Sequence, residues 1–133
     1  MCASLRRASR VLTQVYEEAL RPLGLRATQF TVLQALSLTG EVMHGDLGEI
    51  LAMDSTTLTR TLEILSQRGW VAKRAGKDLR ERWVRLTKAG QDQFEKALPL
   101  WGKTQSDLRH KLGDAQWNAL LKFANEVTNA ITQ

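Results

Sequence analysis

Cysteine, histidine and long apolar runs are scarce in this chain of 133 residues. The one cysteine, Cys2, excludes an intrachain disulfide, and the first residues form no apolar signal-peptide core, so we expect a protein of the reducing cytoplasm. No apolar run approaches the roughly 18–20 residues that span a bilayer, because polar side chains interrupt every stretch. We therefore expect a soluble protein, and its length leaves room for one domain.

Residue types that bind metals or perform catalysis are also few. The two histidines, His44 and His110, and the single cysteine show neither metal-ligand spacing nor a nucleophile paired with a base. His44 is expected to begin a helix, and His110 to interact with the C-terminal end of another. The sequence therefore predicts no metal, no cofactor and no enzymatic activity.

Basic residues, by contrast, are in excess, and they are concentrated in one segment. The chain has 19 Lys and Arg residues and 14 Asp and Glu residues, a net charge of +5. The segment from Arg60 to Lys88 contains nine basic and three acidic residues and alone carries +6. Such a surplus indicates a polyanionic partner such as nucleic acid or an anionic membrane.

Apolar spacing and turn residues predict a mainly helical fold. Apolar residues three and four positions apart predict a first helix over residues 3–20, and Thr28 is expected to cap a second helix that ends before Gly40. Two shorter helices follow, the second over residues 54–69. Residues 70–74 and 82–86 alternate enough for a β-hairpin.

Two long amphipathic helices are predicted after the hairpin, capped by Thr87 and Asp114, and Pro99 is expected to bend the first of them. The residues expected to face inward are Phe94, Leu98, Trp101, Leu108 and Leu112 on the first helix and Trp117, Leu120, Leu121, Ala124, Val127 and Ile131 on the second.

The helix over residues 54–69 has the two faces that a DNA-recognition helix needs, one apolar and one polar. The apolar stripe is Leu58, Leu62 and Leu65, and the opposite side carries Thr56, Arg60, Glu63 and Gln67, flanked by Thr57 and Thr59. Arg60 suits a bidentate contact with guanine, and Thr56 a base edge or a thymine methyl group. Ser55 and Thr57, at the helix start, suit phosphate contacts. A solvated surface helix capped by Asp54 or Ser55 accounts for the same pattern.

The loop of the predicted hairpin, residues 75–80, is basic. A basic tip beside a recognition helix can enter an adjacent minor groove, and Arg80 is the candidate, oriented by a salt bridge to Asp78. The cations expected to neutralise phosphates are Lys73, Arg74, Lys77 and Arg82. A solvated charged turn is the competing interpretation, but two features that agree favour double-stranded DNA as the partner.

Three stretches of this sequence resemble the MarR family of winged helix-turn-helix regulators. They are Met53-Asp54-Ser55-Thr56-Thr57-Leu58-Thr59-Arg60 with Leu65 and Gly69, then Asp78-x-Arg80, then Leu86-Thr87-x-Ala89-Gly90. The resemblance implies a single MarR-like unit over residues 1–133, with a winged helix-turn-helix part at 28–87 and dimerisation helices at 3–21 and 88–132. It also implies a homodimer that places two recognition helices on successive major grooves of a pseudo-palindrome. The amphipathic terminal helices support a symmetric partner independently, although they could instead fold back on a monomer.

The same resemblance implies a small aromatic or anionic effector in a crevice between the dimerisation helices and the winged part. Trp101, Trp117 and Phe94 are candidate lining residues, although aromatic residues at helical spacing also fit a simple core.

The N-terminal segment resembles the OhrR-type peroxide sensors of this family, which have a reactive cysteine there, and Tyr16 matches a tyrosine that contacts it. Arg6 stands where a second tyrosine is expected, and a residue at a frayed end couples poorly to structure. An incidental small residue at position 2 is the competing interpretation.

The functional prediction is therefore a sequence-specific regulator, a repressor, released by a small-molecule or oxidative signal. The alternative is a winged helix that binds a protein partner. That alternative predicts an apolar patch on the outer face of residues 55–67, where Ile64 is the large apolar residue.

Overall fold

The computed structural model describes residues 1–132, and its order of elements is that of a winged helix flanked by helical arms. The elements are α1 (Cys2–Leu20), a 3-10 turn (Arg21–Leu23), α2 (Ala27–Thr39), β1 (Val42–Met43), α3 (His44–Leu51), α4 (Ser55–Gln67), β2 (Val71–Ala75), β3 (Arg82–Leu86), α5 (Lys88–Leu112) and α6 (Asp114–Thr132). The prediction of a mainly helical fold with a small β-hairpin wing is confirmed.

The break between α1 and α2 follows from Pro22 and Gly24. Pro22 stands at the start of the 3-10 turn, where its missing N–H costs no hydrogen bond. Gly24 has φ 67°, a left-handed conformation that residues with a Cβ adopt at a cost, and its N–H donates to the Arg21 carbonyl. The chain therefore leaves α1 and turns back into α2 within six residues.

The sheet contains the predicted hairpin and one strand more. β3 lies in the centre and pairs antiparallel with β2 on one side and with β1 on the other. Val71 of β2 and Val84 of β3 are buried, which fixes the face that the sheet turns toward the helices. The two-residue strand β1 was not predicted, because a run so short carries no alternation.

The core lies where α2, α3 and α4 meet the sheet and the first half of α5. The predicted apolar stripe of α4, Leu58, Leu62 and Leu65, is buried there, and Phe30 of α2 lies between the rings of Phe94 and Trp101. The winged part therefore completes a hydrophobic core within one chain.

The junction between α4, the sheet and α5 is held by backbone contacts. The Thr87 hydroxyl accepts from the Gly90 N–H, which caps α5, and donates to the Gly69 carbonyl at 2.6 Å. A Cβ on Gly90 would lie 1.9 Å from the Trp70 carbonyl oxygen. A glycine at position 90 thus lets α5 begin directly against the Trp70 backbone, between α4 and β2.

Two predicted helix caps, Thr28 and Asp114, and the proline expected to bend α5 can be compared with the structure. Thr28 does not cap α2, because Arg26 has the extended backbone of the cap and its N–H donates to the Gln29 side chain at 3.0 Å. Asp114 is the first residue of α6, and its carboxylate pairs with Arg109. Pro99 lies inside α5 without ending it, as expected of a proline that removes one hydrogen bond.

The inward orientation expected for the two long helices is wrong in part. Phe94 and Leu108 are buried, but Leu98 and Leu112 are exposed, and α6 buries no residue completely. The reason is that, within residues 1–132, α6 packs mainly on α5 and has few contacts with the rest of the chain. None of the helices within residues 1–132 combines the length and the apolar character needed to cross a lipid bilayer.

Candidate nucleic-acid interface

The start of α4 is built by Asp54, which caps the helix. Its carboxylate accepts from the Thr57 N–H at 2.7 Å and from the Thr57 hydroxyl at 2.8 Å. These hydrogen bonds, the backbone one first, lower the pKa of Asp54. Asp54 rather than Ser55 is therefore the cap, and the Thr57 hydroxyl is engaged by it.

The polar face of α4 points to solvent over its whole length. The five residues predicted on it as DNA contacts are all exposed: Ser55, Thr56, Thr57, Thr59 and Arg60. Five side chains of this face and Ile64 line one shallow groove: Ser55, Thr56, Thr59, Arg60 and Glu63. Because the opposite face is fully buried, this surface is held rigidly in place.

The apolar patch required by the protein-interaction alternative does not form on this face. Among the large apolar residues of α4, Ile64 is exposed, at 40%, while the three leucines of the stripe are buried. A single half-exposed isoleucine among hydroxyls and charges offers little area to a protein partner.

The wing tip is a tight turn closed by backbone hydrogen bonds. The Gly76 N–H donates to the Glu81 carbonyl at 2.8 Å, and the Glu81 N–H donates to the Asp78 carbonyl at 2.9 Å. The expected salt bridge between Asp78 and Arg80 is wrong, because the Asp78 carboxylate instead accepts from the Arg80 backbone N–H at 3.0 Å. Asp78 therefore shapes the turn and leaves the Arg80 guanidinium pointing to solvent.

The six wing residues predicted as DNA contacts are all exposed, and the five basic ones fall into two groups. Arg74 forms a two-pronged ion pair with Glu41 and lies over the Trp83 ring, and Lys73 lies 4.0 Å from the Glu63 carboxylate. The hydrogen bond to Arg74 lowers the pKa of Glu41. Within residues 1–132, no ion pair involves Lys77, Arg80 or Arg82.

Sequence reasoning missed two side chains that belong to this surface. Glu41 went unnoticed because it precedes β1, a strand that no pattern predicted. His44 was expected only to begin a helix, which it does, but its Nε2 also lies 3.1 Å from the Thr59 hydroxyl on α4. Neither contact has a local sequence signal, since the partners are 33 and 15 residues away.

The candidate redox residues are far apart within one chain. Cys2 is exposed at the first position of α1, and Tyr16 lies 14 residues further along the same helix, about 21 Å at 1.5 Å per residue. Tyr16 packs on the Trp101 ring at 4.1 Å, and its hydroxyl donates to the Gln105 side chain. Burial raises the pKa of Tyr16. Tyr16 and Cys2 of the same chain are therefore not in contact, and a redox role for the two residues stays a prediction.

A crevice of about 490 Å³ separates the helical arms from the winged part. Trp101 and Tyr16 line it together with Leu12, Leu51 and Leu120. Of the other aromatic residues considered, Phe94 is in the core and Trp117 is not among the lining side chains. No Lys, Arg or His from residues 1–132 lines the crevice.

Large apolar side chains are exposed on the arms, and together they are called the apolar flank below. Those exposed by 40% or more are Leu5, Val11, Val15, Leu98, Leu112, Leu120, Leu121, Phe123, Val127 and Ile131. They come from α1, α5 and α6, the helices that the sequence assigned to dimerisation. So many exposed large apolar side chains on three helices are typical of a surface that a partner covers.

Comparison with known proteins gives consistent matches. The model of the MarR family matches residues 25–81. The HTH-type transcriptional regulator YwoH of Bacillus subtilis is 33% identical over 91 residues, which are 68% of this chain and 66% of YwoH. The match thus spans just under two thirds of that relative.

Solved structures match over nearly the whole chain. The transcriptional regulator MosR of M. tuberculosis, crystallised in complex with DNA, is 35% identical with a TM-score of 0.89, covering 98% of this chain and 94% of MosR. A mutant MarR of E. coli complexed with operator DNA is 26% identical with a TM-score of 0.84, covering 94% and 91%. Both similarities include the arms as well as the winged part.

Proposed function

The chain belongs to the MarR family of transcriptional regulators, and on that premise we propose that it binds a specific operator in double-stranded DNA as a homodimer. Members of this family are DNA-binding regulators and not enzymes. The observation that carries the proposal is the pairing of a rigid polar helix face with a basic wing tip beside it. The relatives crystallised with DNA support the same reading.

The positions of the side chains assign some of them to the base edges and others to the phosphates. Arg60 and Thr56, in the middle of the exposed face of α4, read base edges in the major groove, with Thr59 beside them. Ser55 and the N-terminal end of α4 contact phosphate. The N–H and the hydroxyl of Thr57 are both engaged by Asp54, so Thr57 supports the helix start beside the phosphate. Arg80 enters the minor groove.

The remaining cations of the wing differ in how free they are to meet phosphate. Lys77 and Arg82 have no carboxylate partner within residues 1–132, so they supply the stronger phosphate contacts. Lys73 and Arg74 are shared with Glu63 and Glu41 and contribute less. This ordering refines the expectation that all four act alike.

The homodimer is supported by the exposed apolar flank of α1, α5 and α6. We assign dimerisation to residues 3–21 and 88–132 and DNA binding to residues 28–87. Covering the flank with the same flank of a second copy removes it from water with two-fold symmetry. Two recognition helices then reach half-sites about one helical turn, ~34 Å, apart on a pseudo-palindrome.

The proposal also includes repression of transcription and a signal that releases the protein from DNA. We propose a cytoplasmic repressor whose DNA affinity falls when a small molecule fills the crevice beside Trp101. The crevice lining is apolar and hydroxylic and lacks a basic side chain within residues 1–132, which favours an uncharged aromatic molecule over an anion. Oxidation of the exposed Cys2 is the alternative signal, and Cys2→Ser distinguishes the two, because it removes release by peroxide and leaves release by a crevice ligand.

Selection of bound DNA from a random pool, repeated with two variants, tests the central proposal. Arg60→Ala is expected to relax the preference at one position of each half-site, by about 1–3 kcal/mol per base contact. Lys77→Ala is the matched control, since loss of a phosphate contact weakens all sequences alike and lowers the salt dependence.

Two results would contradict the assignment. An Arg60→Ala protein that selects the same sequence as the parent shows that α4 is not the reading helix. A parent protein that enriches no sequence at all overturns specific DNA binding.

A further inference from the structure

His44 links the recognition helix to the first helix of the pair. It is the first residue of α3, and its half-buried ring reaches α4, where Nε2 lies 3.1 Å from the Thr59 hydroxyl oxygen. Thr59 itself is exposed on the face assigned to DNA. The imidazole therefore stands directly behind a DNA-facing hydroxyl.

Positive charge surrounds the imidazole. A cavity of about 380 Å³ separates α4 from the wing, and His44 and Thr59 line it together with Lys73, Arg74 and Arg82. Arg82 has no carboxylate partner within residues 1–132. The carboxylates of the neighbouring elements are accounted for as follows. Glu63 pairs with Lys73 and Glu41 pairs with Arg74. Asp46 and Glu49 lie on α3 itself, where Glu49 lines a separate pocket beside His44, and α2 has no charged residue.

This setting disfavours the protonated form of His44 in the free protein. Burial, and then the charges of Arg82 and Lys73, lower the pKa of His44 below its ordinary value of 6.5. A neutral ring can accept the Thr59 proton, whereas a protonated ring must donate to the Thr59 oxygen. A protonated ring cannot accept a hydrogen bond, so protonation of His44 leaves the Thr59 hydroxyl free to donate to DNA.

The phosphates of bound DNA bring negative charge to the positively charged surroundings of His44, which favours the protonated ring. In a helix-turn-helix the first helix crosses the phosphate backbone, so the start of α3 and the cations Arg82 and Lys73 approach phosphates. We propose that His44 is a phosphate-contacting residue and that DNA binding takes up one proton at His44 in each subunit. The proposal rests on the proposed function, because it needs the DNA to lie on this face.

The direction of the effect follows from proton linkage. A group that gains a proton on binding makes affinity rise as pH falls, by at most about tenfold per pH unit for each subunit. The window lies between the pKa of the complex and the lower pKa of the free protein. Folding responds in the opposite sense, because a histidine held neutral in the folded state stabilises it above about pH 6.5 and loses that contribution on acidification.

The test measures binding of a duplex of about 30 base pairs, long enough for two half-sites, by fluorescence anisotropy between about pH 6 and pH 8. A random sequence at low salt serves as probe, since phosphate contacts do not depend on sequence. The variants are His44→Gln and His44→Asn, both neutral, and His110→Gln, the matched control at the other histidine. Calorimetry in two buffers with different ionisation enthalpies counts the protons taken up, and circular dichroism checks folding.

The parent protein and His110→Gln are expected to bind more tightly as pH falls and to take up protons, while both His44 variants bind with a flat pH profile and take up none. A pH dependence that persists in a folded His44 variant overturns the inference, as does a flat profile in the parent. Failure of the parent to bind any DNA at any pH overturns the proposed function itself.

Discussion

The winged part and the helical arms treat their apolar residues in opposite ways. In the winged part, the leucines of α4 and the valines of the sheet are buried within the chain, and the surface is hydroxylic and basic. In the arms, half of the apolar stripe stays exposed, and α6 buries no residue completely. One region therefore buries its apolar residues within the chain and has a polar, basic outer surface, whereas the other leaves apolar side chains uncovered, as the proposed dimer requires.

The largest expected effect comes from placing charge on the arms. Leu121→Glu with Val127→Glu puts four carboxylates into the interface of the proposed dimer and should yield a monomer. Operator affinity should then fall by about a hundred- to ten-thousandfold, because two linked half-sites bind far more tightly than one. Sedimentation and anisotropy measure the two effects.

Leu38→Glu is the control for that experiment, since it makes the same change at a leucine of α2 that is 83% exposed and lies outside the arms. It should leave the mass of the dimer unchanged. A double variant that stays dimeric would show that the exposed flank serves another purpose.

A second comparison truncates one leucine in each region. Leu62→Ala, in the core, should lower the free energy of unfolding by about 2–5 kcal/mol and leave the dissociation constant of the dimer unchanged. Leu121→Ala, at a residue 49% exposed, should weaken the dimer and change the core little. Urea unfolding at fixed protein concentration and sedimentation equilibrium separate these effects, and similar behaviour of the two variants would erase the distinction between the regions.

Thr87 lies at the junction of the two regions, and its removal should have an intermediate effect. Thr87→Ala loses the cap of α5 and the bond to the Gly69 carbonyl, and should cost about 0.5–2 kcal/mol in unfolding free energy. Thr87→Ser keeps the hydroxyl and should retain most of the stability. Equal melting temperatures for the alanine variant and the parent would mean that the junction is held by other contacts.

The smallest effect is expected at the Glu41–Arg74 pair. Glu41→Gln removes a negative charge beside the wing and releases Arg74, so DNA affinity should rise slightly, by a few-fold at most, with a steeper salt dependence. In a Glu41→Gln background, Arg74→Ala should lose more affinity than it does in the parent. Additive losses would show that the ion pair does not hold Arg74 back from phosphate.

Most of the fold was predictable because it rests on local periodicity. The stripe of Leu58, Leu62 and Leu65, the Thr87 cap and the alternation of the hairpin are all signals within a few residues of one another. Two local details were missed or wrong, each for its own reason. β1 was missed because two residues carry no period, and the Asp78–Arg80 salt bridge was wrong because the turn geometry offered Asp78 a backbone N–H instead.

For the candidate interface, too, the local features were predictable from the sequence and the contacts between distant residues were not. Which residues carry hydroxyls and charges could be read directly, and all the predicted contacts lie on the exposed surface. Which of these side chains already have a partner in the fold could not be predicted. Arg74 pairs with Glu41, 33 residues away, and His44 contacts Thr59, 15 residues away.

By itself, the sequence determined the helices, the hairpin, the polar face of α4 and the concentration of positive charge, because each depends on the order of residue types along a short stretch. Tertiary structure alone decided three other things: that His44 stands behind Thr59, that Tyr16 turns to Trp101 and Gln105 rather than to Cys2, and that the arms leave an apolar flank uncovered. These depend on which elements pack together, and packing is settled by the burial of surfaces that lie far apart in the chain.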